Sequence, residues 1–215
     1  MDQEKMNIQW YPGHMTKTRR QIEADLKLVD AVCEIVDARI PISSRNPDID
    51  AICGAKPRII VVSGDSMFSS LLDGDYLLLI SNTFYHEPKQ GDVIVISKDS
   101  YDNGAPIVKR VIAVEGQIVD IDFDLGVVYV DGLPLDEPYV NTPTNRAEGV
   151  DFPLLVEEGC CFVLGDNRND SKDSRHPDIG LVDRREILGK AVLLVFPGTD
   201  DGMMPRDFGR IGVIR

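Results

Sequence analysis

Apolar positions follow two different patterns along the chain. Over residues 14–29 (HMTKTRRQIEADLKLV), Ile22, Leu26 and Val29 recur at three- to four-residue spacing behind Thr16, a candidate N-cap, and predict a helix. Residues 30–36 (DAVCEIV) alternate and predict a strand. Pro41, Ser43 and Ser44 break the pattern, and residues 47–55 predict a short helix. Residues 58–62 (RIIVV) predict a short apolar strand of the kind buried in a parallel sheet. Helix, strand, helix, strand is the order of a piece of an α/β domain.

After residue 62 the period changes to two. Short β-rich runs appear at 76–80, 93–97, 107–114, 118–121, 127–130, 161–164 and 190–196. Asp-Gly at 73–74 and 131–132, Asn-Gly at 103–104 and Gly-Asp at 91–92 and 165–166 separate them. No long amphipathic helix intervenes, so this part is expected to be mostly β. The tail, residues 199–215 with Gly202, Pro205 and Gly209, is expected to be loosely ordered.

Charge sharpens the division. Residues 1–61 carry nine basic and nine acidic side chains, so the whole formal charge of −13 falls on residues 62–215. Three units follow: 1–61, 62–198 and the tail 199–215. Apolar residues at 43% and charged residues at 27% describe an ordinary globular chain and exclude a collagen or a disordered acidic tail. A chain this acidic is poorly suited to nucleic acid, which is held by Lys and Arg displacing counterions. The longest apolar run, Ala191–Phe196, has six residues, whereas a membrane-spanning helix needs about 18–20. The start, MDQEKMNIQW, has no apolar core of a signal peptide. The expectation is a soluble chain that carries no transmembrane anchor of its own.

Four cysteines, Cys33, Cys53, Cys160 and Cys161, form no C-x-x-C pair. With three histidines they supply no zinc ligand set, and no metal or other cofactor is expected. A mutual disulfide between Cys160 and Cys161 would be strained. On a strand the two point to opposite faces, which puts one of them in the core.

Three segments of the acidic part carry chemistry. In Ser63-Gly64-Asp65-Ser66-Met67 a serine hydroxyl projects from a glycine-containing turn whose N–H groups are free for an oxyanion, though such turns are common without any function. In 106–114 (PIVKRVIAV) Lys109 lies within an apolar strand. Either its stem snorkels to water, or its amine is desolvated and becomes a base. Alternation puts Lys109 and Arg110 on opposite faces. Segment 165–175 (GDNRNDSKDSR) is either a solvated turn or an ordered polar network around a site.

Together these segments resemble type I signal peptidases. Gly64-Asp65-Ser66-Met67, Gly91–Ile94, Lys109–Ala113 and the complete run Gly165–Arg175 match that family's motifs in its order, over about residues 62–198. The resemblance implies an antiparallel β catalytic domain and a serine endopeptidase with a Ser-Lys dyad in place of Ser-His-Asp. Ser66 is then the nucleophile and Lys109 the general base, with Ser171 bonding the lysine amine. The Ser66 N–H forms part of the oxyanion hole. Some members carry a hydroxyl two residues before the nucleophile, where this chain has Gly64, so another group must supply the second oxyanion bond. Asp173 and Arg175 are implied to pair beside the site, and Arg110 is expected to pair with Asp166. Met67 is implied to line the pocket for a small residue before the scissile bond, in keeping with Ala-x-Ala cleavage sites. The implied partners are signal peptides of secretory precursors, docked as an added strand, and a membrane surface. The implied place is the extracytoplasmic face of the cell membrane.

The first unit resembles a different family. Trp10-Tyr11-Pro12-Gly13-His14-Met15 and Asp37-Ala38-Arg39-Ile40-Pro41 are similar to the start of the circularly permuted ribosome-assembly GTPases. There the strand matching Arg58–Val62 leads into Asn-Lys-x-Asp. Here Ser63-Gly64-Asp65-Ser66 follows, and no G-x-x-x-x-G-K-[ST] loop exists in the chain. The expectation is a truncated α/β GTPase fragment that binds no GTP, joined to the peptidase within about residues 59–64 in the place of an anchor. A spliced or misassembled reading frame accounts for this joint better than an evolved two-domain enzyme. Two other functions are weighed against the peptidase. A self-cleaving Ser-Lys regulator like the SOS repressors would have a cleavage bond such as Cys53-Gly54 and a DNA-binding module, and no helix-turn-helix is evident. A non-enzymatic ribosome-associated protein rests on Trp10–Pro41 alone.

Overall fold

The computed structural model describes residues 58–82, 84–199 and 205–214, together with residues 17, 20–22, 24–26 and 32–33. The thirteen strands described are β1 Val32–Cys33, β2 Arg58–Val61, β3 Tyr76–Ser81, β4 Val93–Ile96, β5 Ile107–Val114, β6 Ile118–Asp122, β7 Val127–Val130, β8 Leu133–Pro134, β9 Leu154–Leu155, β10 Cys160–Leu164, β11 Val182–Asp183, β12 Ile187–Phe196 and β13 Gly212–Val213. Nine build one sheet in the order β1-β2-β3-β12-β4-β5-β10-β11, with β13 also on β12. The other four build a second sheet in the order β8-β7-β6-β9. Among the described pairings only β1–β2 is parallel. The architecture is mostly antiparallel β.

Within the described part of the expected helix, residues 20–22, 24 and 25 are helical, and the Leu26 N–H donates to the Ile22 carbonyl at 2.8 Å. The helix expected over 47–55 lies outside the described residues. β2 differs from the expectation of a strand buried in a parallel sheet. It is parallel to β1 on one side and antiparallel to β3 on the other, and its Val61 is 44% exposed. The sheet covers one face of β2 and leaves the other to solvent.

β4 is buried on both faces and divides the core. Val93 and Val95 join Val62, Met67, Leu71 and Leu77 on one side. Ile94 and Ile96 join Val111, Cys161, Val163 and Ile187 on the other. A third cluster, with Ile112, Val119, Val128, Val130 and Phe162, joins the two sheets. Cys161 is buried and Cys160 half-buried, both as free thiols, and burial pushes the Cys161 thiol up to about 12. The tail is more ordered than expected in its described part. β13 pairs with β12, and Arg210 grips the buried Asp75 through two bonds of 2.9 and 2.6 Å. A charge-assisted chelate of this kind holds a chain end that apolar pattern alone would leave free.

Candidate active site

Ser66 stands in the loop between β2 and β3, and backbone bonds close that loop. The Val62 N–H donates to the Asp75 carbonyl at 2.8 Å and the Gly74 N–H to the Val62 carbonyl at 2.9 Å. Gly64 has φ +85°, a left-handed conformation that suits glycine, and its N–H donates to Asp73 Oδ1 at 2.8 Å. The Phe68 N–H donates to the Asp65 carbonyl at 2.8 Å. These bonds hold Ser66 at a cavity of about 700 Å³ whose lining includes Gly64, Asp65, Lys109, Glu148 and Ser171.

Lys109 reaches the cavity from β5. Its position opposite Ile94 of β4 puts it on the face of Ile107 and Val111, and alternation sends Arg110 to the other face. Lys109 is 3% exposed, and its Nζ lies 2.7 Å from Ser66 Oγ. Burial pushes its amine down to about 8, against the upward pull of Asp173 and Asp166.

The run 165–175 wraps both groups. The Asn167 N–H donates to the Ser66 carbonyl at 3.0 Å, and its side-chain amide donates to the Asp65 carbonyl at 3.2 Å. Arg110 clamps Asp166 with bonds of 2.8 and 2.6 Å and lies over the Tyr139 ring at 3.9 Å. Arg175 clamps Asp173 with two bonds of 2.8 Å, both side chains being fully buried. Asp173 also accepts the Gly165 N–H at 3.0 Å.

Two expected details differ. The Ser171 hydroxyl does not bond the lysine amine. It donates to the Lys172 carbonyl at 3.5 Å, while the amine faces Ser66. Ser171 is seated against Gly165, where a β-carbon would lie 2.1 Å from Ser171 Oγ and 2.5 Å from the Ser66 carbonyl oxygen. Met67 does not line the cavity. It is 1% exposed and packs with Val62, Leu71 and Leu77, because an apolar side chain gains by full burial in the core. Asp65 and Gly64 line the cavity.

The sequence reading missed four residues. In the sequence Arg168 stands out only as a member of the run 165–175. It is fully buried and pairs with Glu137, and its guanidinium also bonds Thr144 Oγ1 at 2.9 Å. Glu137, Thr144 and Glu148 belong to no motif, and Arg168, the partner of Glu137 and Thr144, lies too far along the chain for spacing to reveal them. Among the described residues no group of three or more His, Cys, Asp or Glu is arranged to hold a metal ion. No helix among them is long and apolar enough to cross a membrane.

A hydroxyl 2.7 Å from a desolvated amine can lose its proton to that amine and attack a carbonyl. Comparison with known proteins identifies the family. The family model described as "Signal peptidase, peptidase S26" matches residues 51–196. The chain is similar to the probable signal peptidase I-1 of Synechocystis, 37% identical over 158 residues that cover 70% of this chain and 76% of that protein. A solved signal peptidase I from Enterococcus faecalis is 32% identical, with 48% of this chain and 96% of that one covered and a TM-score of 0.39. A separate match is to ribosome biogenesis GTPase A of Bacillus cereus, 51% identical over 72 residues. It covers 34% of this chain and about a quarter of that GTPase's length. The residues around Ser66 and Lys109 thus lie within a family match that spans most of the chain, and the chain belongs to the signal peptidase family, peptidase S26, as a serine-type signal peptidase.

Proposed function

We propose that this peptidase removes N-terminal signal peptides from exported precursors by a Ser66–Lys109 dyad, cutting after Ala-x-Ala-like sites. The 2.7 Å approach of the buried Lys109 amine to Ser66 Oγ carries the reading. Lys109 takes the Ser66 proton as Oγ bonds the scissile carbonyl carbon, and returns it to the leaving amine. The Ser66 N–H faces the oxyanion. The Gly64 N–H is engaged by Asp73, so the second donor comes from elsewhere. Arg110–Asp166 ties the run 165–175 to β5, which carries Lys109, Arg175–Asp173 braces that run from within, and Ser171 closes the cavity beside them.

The substrate docks as a strand beside β5. Residues 107–109 support this, because β10 pairs β5 only from Arg110 onward. The proposed place of action is the extracytoplasmic face of a membrane, and contact with a membrane surface is supported by the exposed apolar face of Val61, Tyr76, Phe196 and Phe208, whose three rings stack edge to face. The first 61 residues bind no GTP in this reading, for want of both a phosphate loop and a guanine-reading motif.

Cleavage of a precursor with an Ala-x-Ala junction tests the proposal. Ser66→Ala and Lys109→Ala are each expected to lose cleavage by at least about a thousandfold. Activity that survives either change refutes the dyad.

A further inference from the structure

Glu148 lines the same cavity as Ser66 and Lys109. Its side chain is 7% exposed, yet its Oε2 is buried without a hydrogen-bond partner. Among the described residues the one cation in ion-pair range is Arg146, whose Nε is 3.9 Å away and whose side chain is 62% exposed. The short segment that carries Glu148 is fixed on both sides by Arg175. Arg175 Nη1 donates to the Arg146 carbonyl at 3.0 Å, and the Val150 N–H donates to the Arg175 carbonyl at 3.0 Å. Proteins rarely wall in a carboxylate oxygen without a donor. One held this firmly beside a reacting pair calls for a role.

The charges around the amine suggest that role. Lys109 feels Asp173, Asp166 and Glu148 as acids and Arg175 as a base. Asp173 is chelated by Arg175 and Asp166 by Arg110, so each presents the amine with a pair of opposite charges. Glu148 has no such chelate. The groups that face Glu148 are Asp173, Arg175, Arg146 and His176, and Tyr101 also feels its charge. Asp65, Asp170 and Lys172 complete the charged lining of the cavity. Burial first, and then Asp173, pushes the Glu148 carboxyl up.

We propose that Glu148 is a positioning residue of the dyad, whose carboxylate in the cavity wall, only loosely paired with Arg146, stabilises the ammonium formed on Lys109 as Ser66 attacks. This rests on the reading of Ser66 and Lys109 as nucleophile and base. In that step the Ser66 Oγ–H proton moves to Lys109 Nζ, Oγ bonds the carbonyl carbon, and the carbonyl π pair moves to the oxygen. One positive charge appears on Nζ and one negative charge on the oxyanion. Glu148 acts only on the first, through space.

The test is the pH dependence of kcat/KM on an Ala-x-Ala precursor peptide for the full chain. Glu148→Gln keeps the volume and removes the charge. Glu148→Ala is a second neutral variant should Gln not fold, and Glu148→Asp keeps the charge. Without the carboxylate the amine is a weaker base. The acid limb is expected to move about half a pH unit lower and the plateau to fall about three- to tenfold. Glu148→Asp should return the limb to its original place. A merely structural role lowers the plateau and leaves the limb where it was. A limb that stays put in the folded neutral variants overturns the proposal, as does a shift that Glu148→Asp does not reverse. Failure of the parent reading shows in a different variant, as cleavage retained by Lys109→Ala.

Discussion

Replacing Lys109 with Met should abolish cleavage and, at neutral pH, make the protein more stable. The buried amine has its pKa pushed from 10.5 to about 8, a gap that corresponds to about 3 kcal/mol held against folding at pH 7. Met fills the stem's volume without that cost. Loss of the 2.7 Å contact with Ser66 takes back about 1 kcal/mol. A net gain of about 2 kcal/mol remains. The sign follows from proton counting. Below pH 8 both folded and unfolded chains hold the Lys109 proton, so the burial penalty is fully present. Between about 8 and 10.5 the unfolded chain binds a proton that the folded chain lacks, and wild-type stability rises relative to the variant. Above that window the difference due to charge is gone. Urea denaturation of wild type and variant across this range measures the difference directly, with every other titrating group cancelled in the comparison. A variant less stable at pH 7, or a difference flat across the window, would refute a desolvated Lys109.

Two further substitutions test the frame around the dyad. Gly165→Ala puts a β-carbon 2.1 Å from Ser171 Oγ and 2.5 Å from the Ser66 carbonyl, so kcat should fall about tenfold or more as the nucleophile shifts, with a lower melting temperature. An unchanged kcat at saturating substrate would show that the contact is not constraining. Arg210→Met leaves Asp75, fully buried, without its guanidinium. Asp75 keeps the N–H groups of Leu72 and Gly198 at 2.8 and 2.6 Å, so the expected loss is about 2–3 kcal/mol, below the usual cost of stripping a buried pair. Denaturant melts should also show part of that loss recovered when Asp75→Asn is added, and no recovery would argue against the pair.

What the sequence revealed depended on how local the cause was. β5 was legible to the residue because its eight positions form one uninterrupted run between Pro106 and Glu115. β12 begins at Ile187, three residues before the expected Lys190, because Gly189 interrupts the apolar pattern. That glycine is where β12 meets β3 most closely, with room for no β-carbon beside the Ile80 carbonyl. β9, β11 and β13 have two residues each and exist only through their partners, so no periodicity marks them. The run 165–175 was legible because its members bond one another across two to eight residues. Arg168 and Glu137 meet across thirty-one residues, and nothing in either neighbourhood announces the other. Met67 shows the opposite limit, since an apolar residue after a candidate nucleophile reads the same for a pocket wall as for a core.

The open question about Lys109, snorkelling or desolvated, could not be answered from β5 because the answer lies in what covers it. Ile107 and Val111 flank it on the strand, and the Ser66 loop and the 165–175 run close over it. With carboxylates nearby, a buried lysine would ordinarily stay charged. The upward pull of Asp166 and Asp173 is blunted because each is chelated by a guanidinium, with all four side chains buried. The field of such a pair falls off faster with distance than that of a lone carboxylate, so desolvation outweighs attraction and the amine's pKa falls. The two arginine pairs therefore do more than brace the loops. They let a carboxylate-rich motif sit beside a lysine while burial still lowers the amine's pKa.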